Sequence, residues 1–274
     1  MRAALVSLDI TWNNKEVNKK SCSQILARIA AHQVDLVIFP EMTLTGFNMK
    51  PTETGEELAN SNTISFFKSE AVTNKIGIVF GVVIKKDLKF FNCAVFIDEQ
   101  GQILTSYSKI HLFSHSEENK FFQGGELLSV ASFKNYKIGL TICYDLRFPE
   151  LYSSLSQYSD IVINIANWPA KRDLHWETFL RARAIENQTT IIGVNRSGTD
   201  QGGEMFSGES KVIYPNGGVV DPYYFGREFE IYNIDIEEAA ESVRHFNTVK
   251  DKKSELYISW NQEMYSVLNK VKKS

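Results

Sequence analysis

Apolar and polar positions alternate along this chain with two different periods, and the pattern predicts a series of strands and helices. Short apolar runs bounded by turn residues predict strands, whereas apolar positions three and four residues apart predict helices. The predicted strands are Arg2–Ile10, Val34–Phe39, Ile76–Ile84, Phe91–Asp98, Ile103–Ser106, Tyr136–Ile142, Asp160–Ile165, Thr189–Asn195, Ser207–Ile213, Val219–Asp221 and Glu228–Asp235. The predicted helices are Asn18–Ala31, Thr63–Lys75, Phe148–Gln157, Asp173–Asn187 and residues 255–272. This mixture of βα units and hairpins favours sheets covered by helices.

Three of the predicted helices have apolar positions that define a face. In the first helix these positions are Cys22, Ile25, Leu26 and Ile29. In the helix over 173–187 we expect four residues to point inward, namely Leu174, Phe179, Ala182 and Ile185. The C-terminal helix or arm, residues 255–274, has loosely spaced apolar positions at Leu256, Trp260, Tyr265 and Leu268. We expect it either to cover a partner subunit or to pack on its own domain.

Composition and charge narrow the class of protein. The chain has 274 residues, 43% of them hydrophobic, which is ample for a sizeable core. No linker rich in Ser, Gly or Pro divides it, so we predict one domain over residues 1–274. The formal net charge of −3 and the pI of about 6.0 argue against a nucleic-acid partner.

The spacing of apolar residues, cysteines and histidines argues against a membrane span, a disulfide framework and a metal site. No apolar run reaches the length of a membrane span, and the first strand begins too early for a signal peptide, so no membrane partner is expected. Three cysteines without paired spacing argue against a disulfide framework and favour a reducing cytoplasm. The five histidines show no metal-binding spacing, and we expect neither a metal nor another cofactor.

Cys143 is the most informative position for chemistry. It ends the apolar run Tyr136–Ile142 and precedes a predicted helix with Pro149 in its first turn. A thiol at such an elbow is exposed at the strand tip, where backbone N–H groups can lower its pKa and bind an oxyanion. The alternative is a small buried cysteine that only fills space.

Two distant segments favour the catalytic interpretation. Glu41 follows Pro40 after the strand ending at Phe39, and Lys109 follows another strand pattern. A carboxylate, a cation and a thiol at the ends of separate strands are the groups required for acyl transfer.

The three segments together resemble the signatures of the nitrilase, or carbon-nitrogen hydrolase, superfamily. These are Phe39-Pro40-Glu41 continuing to Gly46-Phe47, Lys109-Ile110-His111-Leu112, and Cys143-Tyr144-Asp145, in the order and approximate spacing of the family, and the resemblance covers roughly residues 2 to 235. It implies a four-layer α-β-β-α sandwich that forms a homodimer or a higher homo-oligomer. It also implies that Cys143 is the nucleophile, Glu41 the general base, and Lys109 with the Tyr144 N–H the oxyanion donors.

Further residue roles follow from the same resemblance. The family has a second glutamate seven residues before a glycine; Glu118, with Gly125, has that spacing and Glu117 does not. Its implied role is to orient Lys109. A Cys-His dyad through His111 or His175 is not expected, since neither is placed next to Cys143 and the family uses no such dyad.

The sequence after Cys143 is similar to the amidase branch, because many nitrilases have Trp-Glu where this chain has Tyr144-Asp145. The segments 166–170, 175–176 and 181–188 resemble the bacterial omega-amidases, which release ammonia from 2-oxoglutaramate or 2-oxosuccinamate. Such an anionic substrate needs a cation, for which Arg172 is the candidate. Arg147 is the rival, although in the family it resembles a structural ion-pair partner. Candidates for the apolar wall are Phe47, Trp168 and Phe206.

Two alternatives remain open at this point. The chain could be another amidase of the same branch, acting on deaminated glutathione or a carbamoyl compound. It could also be a non-catalytic binding protein on this fold, against which the retention of Glu41, Lys109 and Cys143 argues.

Overall fold

Two β-sheets lie face to face in the computed structural model, which describes the backbone of residues 1–271 and the side chains of residues 1–241 and 243–265. The strands are β1 (Arg2–Val6), β2 (Leu36–Ile38), β3 (Glu56–Glu57), β4 (Gly77–Lys86), β5 (Lys89–Ile97), β6 (Ile103–Ser108), β7 (Val130–Phe133), β8 (Tyr136–Ile142), β9 (Ile161–Ala166), β10 (Thr190–Asn195), β11 (Ser197–Thr199), β12 (Met205–Ser207), β13 (Lys211–Ile213), β14 (Tyr224–Phe225) and β15 (Phe229–Asn233). The α-helices are α1 (Lys15–Ala30), α2 (Pro51–Thr54), α3 (Asn62–Asn74), α4 (Glu118–Phe121), α5 (Pro149–Leu155), α6 (Asp173–Asn187), α7 (Ile236–His245) and α8 (Ser254–Val271).

The first sheet has the strand order β14-β15-β1-β2-β4-β5-β6, with β3 paired to β4, and the second has the order β13-β10-β9-β8-β7. In the centre of each sheet the strands are parallel, as in the pairs β1–β2, β2–β4, β8–β9 and β9–β10. Hairpins such as β4–β5 and β7–β8 extend the sheets in antiparallel fashion. Because parallel neighbours end at the same edge, β8 and β9 deliver their following residues to one place.

Three apolar layers hold the sandwich together. The inner faces of the two sheets pack on each other through side chains such as Leu5, Val79, Leu140 and Ile163. The outer face of the first sheet packs on α1 and α3, and that of the second sheet packs on α5 and α6. This is the four-layer α-β-β-α arrangement expected from the sequence. The buried face of α1 consists of Asn18 and the four apolar residues expected there, Cys22, Ile25, Leu26 and Ile29.

The inward face of α6 differs from the expected one. Leu174 is 78% exposed and Ile185 is 48% exposed, whereas Trp176, Leu180 and Ala184 are fully buried. The buried face is set by Trp176 and Leu180, whose wide side chains fill the space beside Gly193 of β10. A Cβ on Gly193 would lie 2.6 Å from Leu180 and 2.8 Å from Trp176. Ala182 is half-buried, and Phe179 is partly buried against the same layer.

Several predicted strands are shorter or divided. The first strand ends at Val6, because the chain then turns toward the small two-stranded sheet β11–β12, where the N–H of Ser197 donates to the carbonyl of Leu8. The predicted strand Ser207–Ile213 is divided into β12 and β13 by the left-handed Gly208. Val219–Asp221 forms only an isolated bridge, at Val219.

The C-terminal helix α8 exposes its apolar residues. Leu256, Trp260 and Tyr265 are all exposed, so they do not pack on their own domain as one of our two expectations had it. The side chain of Leu268 and the backbone of residues 272–274 lie outside the described residues. That α8 covers a partner subunit stays a prediction.

Candidate functional site

Cys143 lies at the sharp turn that follows β8. Its φ is +46°, in the left-handed region that a residue with a Cβ rarely adopts, and a one-turn 3₁₀ helix over Cys143–Arg147 begins there. The predicted helix Phe148–Gln157 therefore begins only after this turn, as α5. The turn presents the sulfur at the tip of the strand, 3.9 Å from the backbone carbonyl oxygen of Asn167.

Glu41 is held behind Cys143 by a tight approach of two segments. The residues after β2 turn sharply at Met42, whose φ is +45°, and pack on β4 at Gly81. A Cβ at Gly81 would lie 2.2 Å from the backbone nitrogen of Met42, so only glycine permits this contact. The Thr43 hydroxyl donates to the Pro40 carbonyl and accepts from the Gly81 N–H. The carboxylate of Glu41 is fully buried as a result.

Lys109 joins two buried carboxylates. Its Nζ lies 2.9 Å from Glu41 Oε1 and 3.0 Å from Glu118 Oε2, and none of the three side chains is exposed. Glu118 begins α4, and its Oε2 also accepts from the Phe113 N–H at 2.6 Å. The neighbouring Glu117 is exposed and pairs with Lys120. The structure thus brings Glu118, and not Glu117, to Lys109.

The charges in this cluster decide its protonation state. Burial by itself lowers the pKa of Lys109, but the charges of Glu118 and Glu41 outweigh burial and raise that pKa above its ordinary value. Burial raises the pKa of the Cys143 thiol well above its ordinary value; Glu41 raises it further and Lys109 opposes the rise. The resting cluster therefore contains a protonated thiol and a charged lysine beside the side chains of Glu41 and Glu118.

Two asparagines that the sequence analysis did not single out complete the cluster. Asn92 donates from Nδ2 to Glu41 Oε1 at 2.7 Å and to Glu118 Oε1 at 3.0 Å. The backbone N–H of Asn167 donates to Glu41 Oε2 at 2.9 Å. One indication of a role for Asn92 was present in the sequence, namely that it is a polar residue within the apolar stretch of β5.

Asp145 and His111 stabilise the elbow itself. The buried carboxylate of Asp145 accepts from the N–H of Ile142 at 3.0 Å, from the N–H of His111 at 2.9 Å and from the Tyr107 hydroxyl at 2.8 Å. The ring of His111 stacks on Phe148 and its Nδ1 lies 2.8 Å from Asp145. These contacts give His111 a structural role at the elbow. Among the hydrogen bonds, ion pairs and ring contacts of the described side chains, none joins His111 or His175 to Cys143.

A cavity of about 290 Å³ opens over Cys143 and Lys109. The three residues expected to form its apolar wall, Phe47, Trp168 and Phe206, all line it. The Phe47 ring lies 5.2 Å from Lys109 Nζ, which it shields from solvent. Tyr144 lines the cavity from the first turn of the 3₁₀ helix, where backbone N–H groups have no acceptor within the helix.

Arg147 and Arg172 both line this cavity. Arg147 lies over the Trp168 ring at 4.8 Å, and Arg172 lies over the Phe113 ring at 5.6 Å. Within the part of the chain whose side chains are described, neither arginine forms an ion pair. The expectation that Arg147 is a structural ion-pair partner is therefore wrong, because the 3₁₀ turn directs it toward the cavity. Burial, and then the charge of Arg172, lower the pKa of Arg147.

Two other features, a metal site and a membrane-spanning helix, are absent from the described part of residues 1–271. The side chains described there contain no cluster of three or more His, Cys, Asp or Glu that could hold a metal ion. Among the helices of the same residues, none is long and apolar enough to cross a membrane.

The sequence and the fold both match known proteins. The carbon-nitrogen hydrolase family model matches residues 2–242. The omega-amidase YafV of Escherichia coli (strain K12) is 30% identical over 220 residues, covering 80% of this chain and 84% of that protein. The deaminated glutathione amidase of Dictyostelium discoideum is 32% identical over 228 residues, covering 76% of this chain and 78% of that protein.

A solved structure extends the similarity to the whole fold. A CN-hydrolase superfamily protein from Xanthomonas campestris, which has an arsenic adduct in its active site, superposes with a TM-score of 0.86 at 27% sequence identity. The match covers 92% of this chain and 97% of that one. The similarity therefore includes both sheets and the helices on either side of them.

Proposed function

Since the chain belongs to the carbon-nitrogen hydrolase family, we propose that it hydrolyses the terminal amide of a small 2-oxo dicarboxylic acid monoamide through a thioester on Cys143. The family and the named relatives support an amidohydrolase activity. The observation that carries the proposal is the buried Glu41–Lys109–Glu118 cluster, whose Lys109 lines the same cavity as Cys143. 2-Oxoglutaramate and 2-oxosuccinamate are the proposed substrates.

The first half of the reaction forms the thioester. Glu41 takes the thiol proton as the sulfur of Cys143 attacks the amide carbon, and the electron pair of the C=O bond moves to oxygen. Lys109 Nζ and the Tyr144 N–H stabilise the resulting oxyanion, each such donor contributing roughly 2.7–4 kcal/mol in known cases. When the C–N bond breaks, Glu41 returns the proton to nitrogen and ammonia leaves.

The second half consumes water. Glu41 removes a proton from a water molecule whose oxygen attacks the thioester carbon, and the C–S bond breaks as the carboxylic acid forms. The departing sulfur recovers its proton from Glu41, which restores the resting state. Glu118 holds Lys109 in place throughout by its 3.0 Å contact with Nζ.

The cavity supports a small anionic substrate. Its volume of about 290 Å³ lies at the lower end of the range for ligand pockets, which favours a molecule smaller than a tripeptide. Arg147 and Arg172 supply two positive charges with no carboxylate partner in the described side chains. A substrate carboxylate would satisfy both, and bidentate contacts of this kind are among the stronger hydrogen bonds.

A coupled ammonia assay tests the proposal. The panel should contain 2-oxoglutaramate, 2-oxosuccinamate, glutamine, a nitrile and a carbamoyl compound. We expect ammonia release to be fastest from the two 2-oxo acid monoamides. Turnover of the nitrile or the carbamoyl compound alone would contradict the proposed substrate class.

We expect Arg172→Ala to raise KM for 2-oxoglutaramate about ten- to a hundredfold, since a charge-assisted contact in a partly buried site contributes roughly 1.5–3 kcal/mol. Activity on a neutral amide of similar length should barely change. The measurement is kcat and KM for both amides, with Arg181→Ala as the control, because Arg181 pairs with Glu177 on the same helix. Equal losses on the charged and neutral amides would make Arg172 structural and leave Arg147 as the cation.

We expect hydroxylamine to divert part of the product to a hydroxamate, because a thioester is open to attack by any small nucleophile. The measurement is the yield of hydroxamate from 2-oxoglutaramate as the hydroxylamine concentration increases. Hydrolysis that continues with no hydroxamate at any concentration would argue against the thioester.

Deaminated glutathione is the second candidate substrate. The Dictyostelium relative is named for it, and the same pair of arginines could bind its carboxylates. The small cavity volume argues against this larger molecule. Its addition to the ammonia panel discriminates between the two. A homodimer and a cytoplasmic location remain predictions.

A further inference from the structure

Asn92 contacts every charged member of the buried cluster. Its side chain is fully buried in β5, in a stretch of the strand that is otherwise apolar. Nδ2 donates to Oε1 of both Glu41 and Glu118, at 2.7 and 3.0 Å. Its backbone carbonyl accepts from the N–H of Lys109 at 2.8 Å.

These contacts fix the state of the two carboxylates. Because an amide nitrogen only donates, its contact favours an unprotonated acceptor at each carboxylate oxygen that it reaches. The reverse orientation of the amide would place its oxygen against both carboxylates, so the partners determine the orientation. Glu41 Oε1 accepts from both Asn92 Nδ2 and Lys109 Nζ, which uses its two lone pairs, whereas one short donor, the Asn167 N–H at 2.9 Å, reaches Oε2, so Oε2 is the oxygen with a lone pair left for a proton.

We propose that Asn92 is a positioning residue that confines the proton shared by Cys143 and Glu41 to Oε2 of Glu41 and keeps Glu118 ionised beside Lys109. This inference rests on the proposed function, in which Glu41 is the base. The hydrogen bonds from Asn92 also help two adjacent carboxylates to stay charged with only one lysine between them. The ionisable groups facing the pair are Lys109 and Cys143, with Arg147 acting on Cys143 from the cavity.

Removal of the amide should change the proton affinity of the pair. Without the Asn92 amide, Lys109 is the one side-chain donor that Glu41 and Glu118 share. Their mutual repulsion then raises the affinity of the pair for a proton. The protonated fraction of Glu41 would then rise at a given pH. Catalysis needs this carboxylate ionised in the free enzyme. The acidic limb of the kcat/KM profile, where the rate falls as Glu41 is protonated, should therefore move to higher pH.

The test compares Asn92→Leu with Asn164→Leu. Asn164 is also fully buried, in β9, but its amide donates to Thr141 and Tyr152 and to no carboxylate. For ammonia release from 2-oxoglutaramate, we expect Asn92→Leu to lower kcat about tenfold. The acidic limb of its kcat/KM profile should move up by about one pH unit. Asn164→Leu should lower Tm while leaving that limb in place. An unmoved limb in Asn92→Leu would overturn the proposal.

Asn92→Asp provides a second variant with nearly unchanged shape. It places a third carboxyl group against Glu41 and Glu118, so the acidic limb should move further than in Asn92→Leu. Asn164→Asp is its matched control and should leave the limb where it is. If Asn92→Leu does not fold, an unmoved limb in Asn92→Asp overturns the proposal.

Labelling of Cys143 with iodoacetamide keeps this test separate from the proposed function, because it needs no substrate turnover. If the wild-type protein releases no ammonia from any amide of the panel, the proposed function fails. The role of Asn92 is then read from the labelling rate at pH 7. We expect Asn92→Leu to be labelled faster, since a more basic Glu41 draws the proton from sulfur, and Asn164→Leu to match the wild type. Equal rates in all three proteins would overturn the role of Asn92.

Discussion

Cys143→Ala should lower kcat for ammonia release by about 10⁴-fold or more, because it removes the nucleophile on which both halves of the reaction depend. Cys143→Ser should be nearly as inactive. A hydroxyl is a much weaker acid than a thiol, and the described site offers it no histidine base. Both variants should keep the fold, since the elbow is held by Asp145 and not by the sulfur. The measurements are steady-state ammonia release and a thermal unfolding curve for each variant.

Cys22 and Cys93 provide the matched controls for the loss of a thiol. Burial raises the pKa of Cys93 to about 11 and raises that of Cys22 still further, so neither supplies a thiolate near neutral pH. Cys22→Ala and Cys93→Ser should therefore retain activity, although Cys22→Ala should lose some stability by leaving a small cavity. Substantial ammonia release by Cys143→Ala would show that the covalent mechanism is wrong.

Lys109→Met should show the second large effect, a loss of both activity and stability. It removes an oxyanion donor, which should lower kcat about 10²–10³-fold. It also leaves Glu41 and Glu118 buried without a cation, which should reduce the free energy of unfolding by about 3–5 kcal/mol. Urea unfolding and ammonia release measure the two losses separately. The stability deficit should shrink at acidic pH, where the carboxylates take up protons.

Two further variants separate charge balance from catalysis. Glu41→Gln leaves Lys109 paired with Glu118, so it should be inactive yet more stable than Lys109→Met. The double variant Lys109→Met/Glu118→Gln removes one unpaired carboxylate and should recover part of the lost stability without recovering activity. If Lys109→Met is as stable as the wild type at neutral pH, the cluster is not charged as described.

The ends of the buried strands were the most predictable part of the site. Glu41 and Cys143 follow buried apolar strands, and Lys109 follows β6, so each lies where a strand ends. The four layers could also be predicted from the sequence. The apolar positions of α1 lie on one face, which must pack on a sheet, and the continuous apolar run of β8 indicates a strand buried on both faces. The inward face of α6 could not be predicted, since Trp176 and Leu180 pack against Gly193, and that contact depends on how α6 lies on β10.

Side-chain direction was the least predictable feature. Arg147 faces the cavity because the positive φ of Cys143 starts a 3₁₀ turn, and no residue pattern indicates that turn. Asn92 is a single polar residue in an apolar strand, and its partners come from α4 and from the segment after β2. Contacts of this kind depend on how elements pack, so a sequence can indicate an unusual residue without naming what it contacts.

Mass spectrometry of the acid-quenched enzyme tests whether a thioester forms on Cys143. The wild-type protein is mixed with 2-oxoglutaramate, quenched within the first turnovers and digested. We expect the peptide containing Cys143 to gain the mass of the substrate acyl group, and hydroxylamine to remove this mass. Rapid ammonia release with that peptide unmodified at every quench time, or with the acyl group on another residue, would contradict a thioester on Cys143.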